Sequence, residues 1–274
     1  MTTHTSPNST CWAIDTHVHL HPVQLSPGLL VNLCNGLIAL MGEAYDRKLC
    51  FGWCLADMPS VDTLRVVLSA PFVAELASAE VQVQSDNDSV VNITSKNWSL
   101  TVIDGEQIVT EEGLELLCIG GKLLLGAPPK LRRAIDACLD QGFIPVLPWG
   151  AGKWLGRRGQ YVADLVNHGT YSTELALSDN GTRPSLWPYP SILTRAEESD
   201  YAVLNGSDSL AVCNDQIRTG RAGIILDDAR CRCPMSAIRD VVSGANSNFR
   251  RYGSSMTTLQ FLRTQIALRR GRKK

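Results

Sequence analysis

The chain is poor in most of the residues that mark specialised protein classes. Aromatics make up 6% of its 274 positions and charged residues 19%, with 26 Lys and Arg against 27 Asp and Glu for a formal net charge of −1. Such a balance excludes a surface built throughout for polyanions, so nucleic acid is not an expected partner. A 44% hydrophobic fraction likewise excludes a disordered chain. Long apolar runs are missing: the longest, Leu29 to Met41, is interrupted by Asn32, Asn35 and Gly36. It falls short of the ~20 residues a membrane-crossing helix needs. It reads as a packed helix, and no membrane partner is expected. The nine cysteines are odd in number and irregularly spaced, without the double Cys-x-x-Cys of a strong zinc site. No basic-then-apolar leader precedes them, so we read them as reduced thiols of a cytoplasmic protein.

Histidine is scarce too, and its placement is therefore informative. Of the five, His17, His19 and His21 fall within the run Ala13-Ile14-Asp15-Thr16-His17-Val18-His19-Leu20-His21-Pro22. Alternate residues of a strand share a face, which puts His17 and His19 together with Asp15 and His21. Two imidazoles on one face can grip one metal ion. The plain alternative is a strand edge with exposed histidines. Against it, an apolar Trp12-Ala13-Ile14 leads into strict alternation and a proline stop. His168 closes a predicted helix, where the helix dipole explains a histidine without any ligand role.

The length fits one large α/β barrel or two ordinary domains. Residues 1–11 are polar and read as disordered, 12–268 as one domain, and 269–274 as a basic, solvated tail (Arg269, Arg270, Arg272, Lys273, Lys274). Along the domain the pattern predicts a strand, a helix from Pro27 to about Asp46, and a strand over Leu49–Leu55. A helical stretch over 61–79, broken at Pro71, and a hairpin over Val81–Thr94 follow. Further strands are predicted at Leu100–Thr110, Leu114–Ile119, Phe143–Pro148, Glu174–Ser178, Tyr201–Gly206 and Gly223–Leu226. Helices are predicted over Pro128–Asp140, Gly156–Val166, 234–243 and 255–270. Alternating strands and helices imply a parallel sheet. The expected fold is a single TIM-like (β/α) barrel, regular or distorted, with a β-hairpin insertion around 80–100.

In such barrels the chemistry sits after the strands. Four groups fall there: the Asp15 to His21 run, Trp149 to Lys153, Asp179-Asn180, and Ser207-Asp208. The stretch Gly150-Ala151-Gly152-Lys153-Trp154-Leu155-Gly156-Arg157-Arg158-Gly159 is glycine-rich and basic ahead of a helix. It suits an anion or is simply a tight turn. Asp179-Asn180-Gly181-Thr182-Arg183 is an Asn-Gly turn, or a ligand at Asp179 with an anion clamp at Arg183. Trp149 and His21 are candidates to line a substrate pocket.

The early Asp-x-His-x-His and the late Val203-Leu204-Asn205-Gly206-Ser207-Asp208 resemble the first and last strands of metal-dependent hydrolases of the amidohydrolase superfamily. That resemblance implies a barrel in which His17, His19 and Asp208 bind metal and Asp208 takes a proton from the activated water. The histidines that the superfamily carries after its middle strands are missing, and Trp149 stands where one is expected. Two explanations remain open: oxygen ligands (Asp179, Glu112 or Glu115) complete the site, or the metal machinery has decayed and left a binding or regulatory barrel. A phosphoesterase of the polymerase and histidinol phosphatase type is a further alternative. The expected activity is hydrolysis of an amide, ester or phosphoester in a small anionic substrate. It would use a divalent ion, zinc first and manganese or iron next, with Lys153 as the substrate's cation. A homo-oligomer stays open.

Overall fold

The computed structural model describes residues 11–22, 24–41, 49–123, 125–150, 152–209, 218–227, 233–253 and 256–271. Residues 1–10, Cys231 and the tail beyond 271 lie outside that set. In chain order the elements are β1 (Cys11–Val18), α1 (Pro27–Met41), β2 (Leu49–Leu55), α2 (Thr63–Val67), α3 (Ala70–Ser78), β3 (Gln82–Asn87), β4 (Val90–Thr94), β5 (Ser99–Ile103) and β6 (Gly105–Val109). They continue with β7 (Glu115–Ile119), α4 (Leu131–Asp140), β8 (Ile144–Pro148), α5 (Arg157–His168), β9 (Ala176–Asn180), α6 (Ser191–Glu198) and β10 (Val203–Gly206). The last are β11 (Gly223–Asp227), α7 (Pro234–Val242), β12 (Phe249–Tyr252) and α8 (Thr258–Gly271).

These strands form two mixed sheets and no closed barrel. One has seven strands in the order β12-β11-β1-β2-β5-β4-β3, the other five in the order β10-β9-β8-β7-β6. The expected TIM-like parallel barrel is thereby corrected to an α/β fold of two mixed sheets. The reason is local. Leu100–Thr110 is two strands, because at Asp104 the chain leaves the first sheet and at Gly105 it joins the second. A side chain on Gly105 would collide with the carbonyl oxygens of Leu55 and Cys118, so only glycine fits this crossing. The links β4 to β5 and β6 to β7 are too short for the crossover a parallel pair requires, and both pairs are antiparallel. The predicted hairpin is real, but β4 pairs with β5 and so extends the first sheet. The short α6 and β12 stand where no element is predicted from sequence.

Alternation along the strands divides the core. Phe51 and Trp53 of β2 pack with Leu30, Leu33 and Leu37 of α1, whereas Cys50 and Cys54 face Ile14, Leu117, Val146 and Leu204. The second cluster draws on both sheets and on Ala237 and Ile238 of α7, and so ties the sheets together. A third sets Ile135, Val162, Leu165 and Leu193 of α4, α5 and α6 against the five-stranded sheet. Cys11, Cys34, Cys50, Cys54, Cys118 and Cys138 are buried and act as small apolar side chains. The two sheets also meet where β1 and β10 run out: Thr16 Oγ1 donates to Asn205 O at 3.0 Å and Asp208 N–H to His17 O at 2.9 Å.

Candidate metal centre

That junction is held by a buried carboxylate. Asp15 Oδ1 accepts from the backbone N–H of His17 (3.1 Å) and Ser207 (2.9 Å), and Oδ2 from that of Gly220 (2.8 Å). It therefore binds the end of β1 to the loops after β10 and before β11, spending its acceptors on backbone donors. Burial raises its pKa to about 6, against these hydrogen bonds. Gly206 completes the fit, since a Cβ there would lie 2.7 Å from His17 N.

Pinned in this way, His17, His19 and Asp208 turn three donor atoms toward one point. The two Nε2 atoms are 3.0 Å apart, and each is 3.5 Å from Asp208 Oδ1. At metal–ligand distances of about 2.0–2.1 Å and tetrahedral angles, neighbouring donors lie about 3.3–3.4 Å apart. The observed spacings bracket that value, and the three residues can hold a metal ion. Their protonation agrees. Burial lowers the His17 pKa to about 4, against the pull of Asp208, which leaves its imidazole neutral. Burial would raise Asp208, but His17 and His19, with Lys153 behind them, hold it well below the usual carboxylate range. Asp208 sits at φ 44°, a left-handed conformation that costs about 1 kcal/mol for a non-glycine residue. Its Oδ2 accepts from Asn180 Nδ2 at 2.8 Å, and Asn180 Oδ1 accepts in turn from Thr182 Oγ1 at 2.6 Å.

The other residues named from sequence lie around this group. Lys153 pairs with Glu115, and its charge reaches both His17 and Asp208. Asp179 is not among the converging donors; it accepts from Arg183 Nε and Nη2 at 3.1 Å each, so each matches the other's charge. Glu112 accepts from Leu131 N–H at the start of α4. His21 is exposed, in a turn where its carbonyl accepts from Gln24 and Leu25. Trp149 lines a cleft of about 380 Å³ with Trp154, Ile192 and Arg195. His168 bonds to Asp164 O of its own helix. Sequence reasoning missed Asn180, whose Asn-Gly turn signal masked its contact with Asp208. It also missed Gln107, a buried residue of β6 whose amide raises the proton affinity of His17.

No family model matches the chain, and no curated protein matches it either. Among solved structures it is similar to PsfC from Pseudomonas syringae PB-5123, at 13% identity with a TM-score of 0.56, covering 96% of this chain and 98% of that one. Agreement over almost the whole of both chains shows a shared fold. Together with the two open sheets, these findings overturn the amidohydrolase-superfamily resemblance, which rested on the end motifs alone. What fold and site define is an α/β protein with a two-histidine, one-carboxylate centre. No helix among the described residues is long and apolar enough to cross a membrane.

Proposed function

We propose that the protein is a metal-dependent hydrolase that cleaves an amide, ester or phosphoester bond in a small anionic substrate. The observation that carries this reading is the convergence of His17 Nε2, His19 Nε2 and Asp208 Oδ1 at the junction of the two sheets. Two imidazoles and one carboxylate suit zinc best, with manganese and iron as alternatives. A divalent ion bound by three protein atoms supplies Lewis acidity and lowers the pKa of water from about 15.7 toward about 7.

The chain's own groups do the rest. His17, neutral through burial, offers its lone pair at neutral pH. Asp208 stays ionised and would hold the ion through Oδ1; Asn180 fixes the orientation of its carboxylate through Oδ2, which leaves it placed to accept a proton from a water at the site. Lys153, at the exposed rim, binds the substrate's anionic group, with Glu115 keeping the ammonium over the site. Arg183 is paired with Asp179 as Lys153 is with Glu115, but its side chain is far less exposed than that of Lys153 and it adds less.

The test is elemental analysis of untagged protein, wild type against His17→Ala/His19→Ala, followed by assays on amides, lactones and phosphoesters. Stoichiometric metal that disappears in the double variant, with turnover disappearing alongside it, is the expected result. Metal-free wild type that takes up no added zinc, manganese or iron would sink the reading. Bound metal without turnover would leave a metal-binding protein in place of an enzyme.

A further inference from the structure

The last stretch of the chain differs in charge from all that precedes it. From Val241 onward there is not one of the 27 acidic residues, but eight of the 26 basic ones: Arg250, Arg251, Arg263, Arg269, Arg270, Arg272, Lys273 and Lys274. Within it, α8 is started by a reciprocal cap, in which Gln260 N–H donates to Thr257 Oγ1 and Thr257 N–H to Gln260 Oε1. Its polarity is reversed. Thr264 is buried, while Leu259, Leu262 and Ile266 are 58%, 53% and 50% exposed. Their spacing of three and four residues makes one outward stripe, flanked by the exposed Arg263. The patch continues onto the neighbouring loop. Ser185 N–H donates to Met256 O and the Trp187 ring lies 5.7 Å from Phe261, which brings the exposed Leu186 and Trp187 beside the helix.

We propose that this face docks on an anionic lipid surface, with α8 lying in the interface plane. An outward apolar stripe has nothing to gain from phosphates alone, which argues against nucleic acid. A second copy would set one acid-free, basic segment against another. Anionic lipid answers both parts of the face: acyl chains receive Leu259, Leu262, Ile266 and Leu186, headgroups meet Arg263 and the basic positions that follow it in the sequence, and Trp187 is amphipathic, as interfacial anchors are. The contact is peripheral and needs no spanning helix.

The full-length chain is to be sedimented with phosphatidylcholine vesicles and with vesicles that also contain phosphatidylserine. The protein should pellet with the second kind only and return to the supernatant as salt rises. Leu262→Ser/Ile266→Ser, which leaves every charge in place and alters only exposed side chains, should weaken binding about tenfold or more; an unchanged melting temperature confirms its fold. No serine-lipid-dependent pelleting overturns the proposal, as does a double variant that binds like wild type, because basic charge alone then explains the contact. Self-association of the wild type that the same variant abolishes would assign the face to a second copy and overturn it equally.

Discussion

Two charged clusters stand at the ends of the strands, and they solve the same electrostatic problem in opposite ways. Around Lys122 the cation is built in: its Nζ lies 3.2 Å from Asp57 Oδ2, 3.5 Å from Asp62 Oδ1 and 3.7 Å from Asp104 Oδ1, and donates to Val61 O at 3.1 Å. Burial works against the ammonium, but Asp104 and Asp57 outweigh it and raise its pKa. At the His17 cluster no side-chain cation is in hydrogen-bonding contact with the donors, among the described residues; Lys153 acts only at a distance. The first arrangement is complete without a ligand, and the second becomes complete when a cation enters. A group of acids at a strand end is therefore no guide to function by itself. What distinguishes the two is whether the chain already fills the centre.

The sharpest way to break this contrast is to remove one donor. His17→Ala or Asp208→Asn should abolish turnover and weaken metal binding by more than the about 10–100-fold that loss of a supporting partner costs, read by competition with a chromophoric chelator. Excess zinc should stabilise the wild type by about 2.7 kcal/mol at a hundredfold over its dissociation constant and leave the variants unmoved. At the other cluster, Lys122→Met strands Asp57, which is 1% exposed in its side chain, and should cost about 3 kcal/mol in urea unfolding. Metal content should not change. A Lys122 variant that lost metal would show the clusters to be one site.

Acid should separate them as well, with opposite signs. In metal-free protein the folded state keeps His17 neutral down to about 4, below its ordinary 6.5. The unfolded chain takes up that proton first, so this group's contribution is intact above pH 6.5 and lost as pH falls toward 4, by up to about 3 kcal/mol. Asp104 behaves inversely. Burial, against the pull of Lys122, raises it from 3.8 to about 6. Its charge therefore penalises the fold above pH 6, and the penalty fades as pH falls toward 3.8, again by up to about 3 kcal/mol. Urea titrations across this range should show wild type gaining on Asp104→Asn as pH drops, and losing relative to a folded His17→Gln. Parallel curves in either comparison would remove the assignment.

Much of the site was legible because its strongest signal is local. His17 and His19 needed only strand alternation, whereas Asp208, one of several polar residues after a strand, was joined to them only through the end-motif resemblance. The TIM-like barrel read from periodicity was wrong, but the mixture of strands and helices, and most helices, followed from it. Closure did not, because it depends on where the chain changes sheet, and that is decided at Asp104-Gly105 by backbone crowding with no trace in hydrophobic pattern. Asp179 and Arg183 look from sequence like a ligand and a clamp; only their mutual contact shows that each is already engaged. Asp15, on the same strand face as the histidines, looks equally suited to metal, yet its oxygens are taken by backbone donors up to 205 positions away.

The smallest effect concerns the support behind His17. Its Nδ1 and the Oε1 of Gln107 are both buried and without a hydrogen-bond partner among the described residues, although the Gln107 amide acts on this ring as an acceptor. Gln107 Nε2 is directed to Met58 Sδ at 3.8 Å, which leaves Oε1 for the imidazole. A small rotation that lets Nδ1–H donate to Oε1 satisfies both atoms and fixes the tautomer with its lone pair on Nε2, the atom aimed at the metal. Gln107→Leu should then weaken metal binding about tenfold with little change in stability, since an orphaned acceptor is removed along with the bond. Gln107→Glu should restore affinity, because an acceptor returns and its charge strengthens the imidazole. Equal affinity in all three proteins would mean that His17 is held by packing alone, and that the β1–β10 junction, with Asp15 beneath it, orients the centre without help from β6.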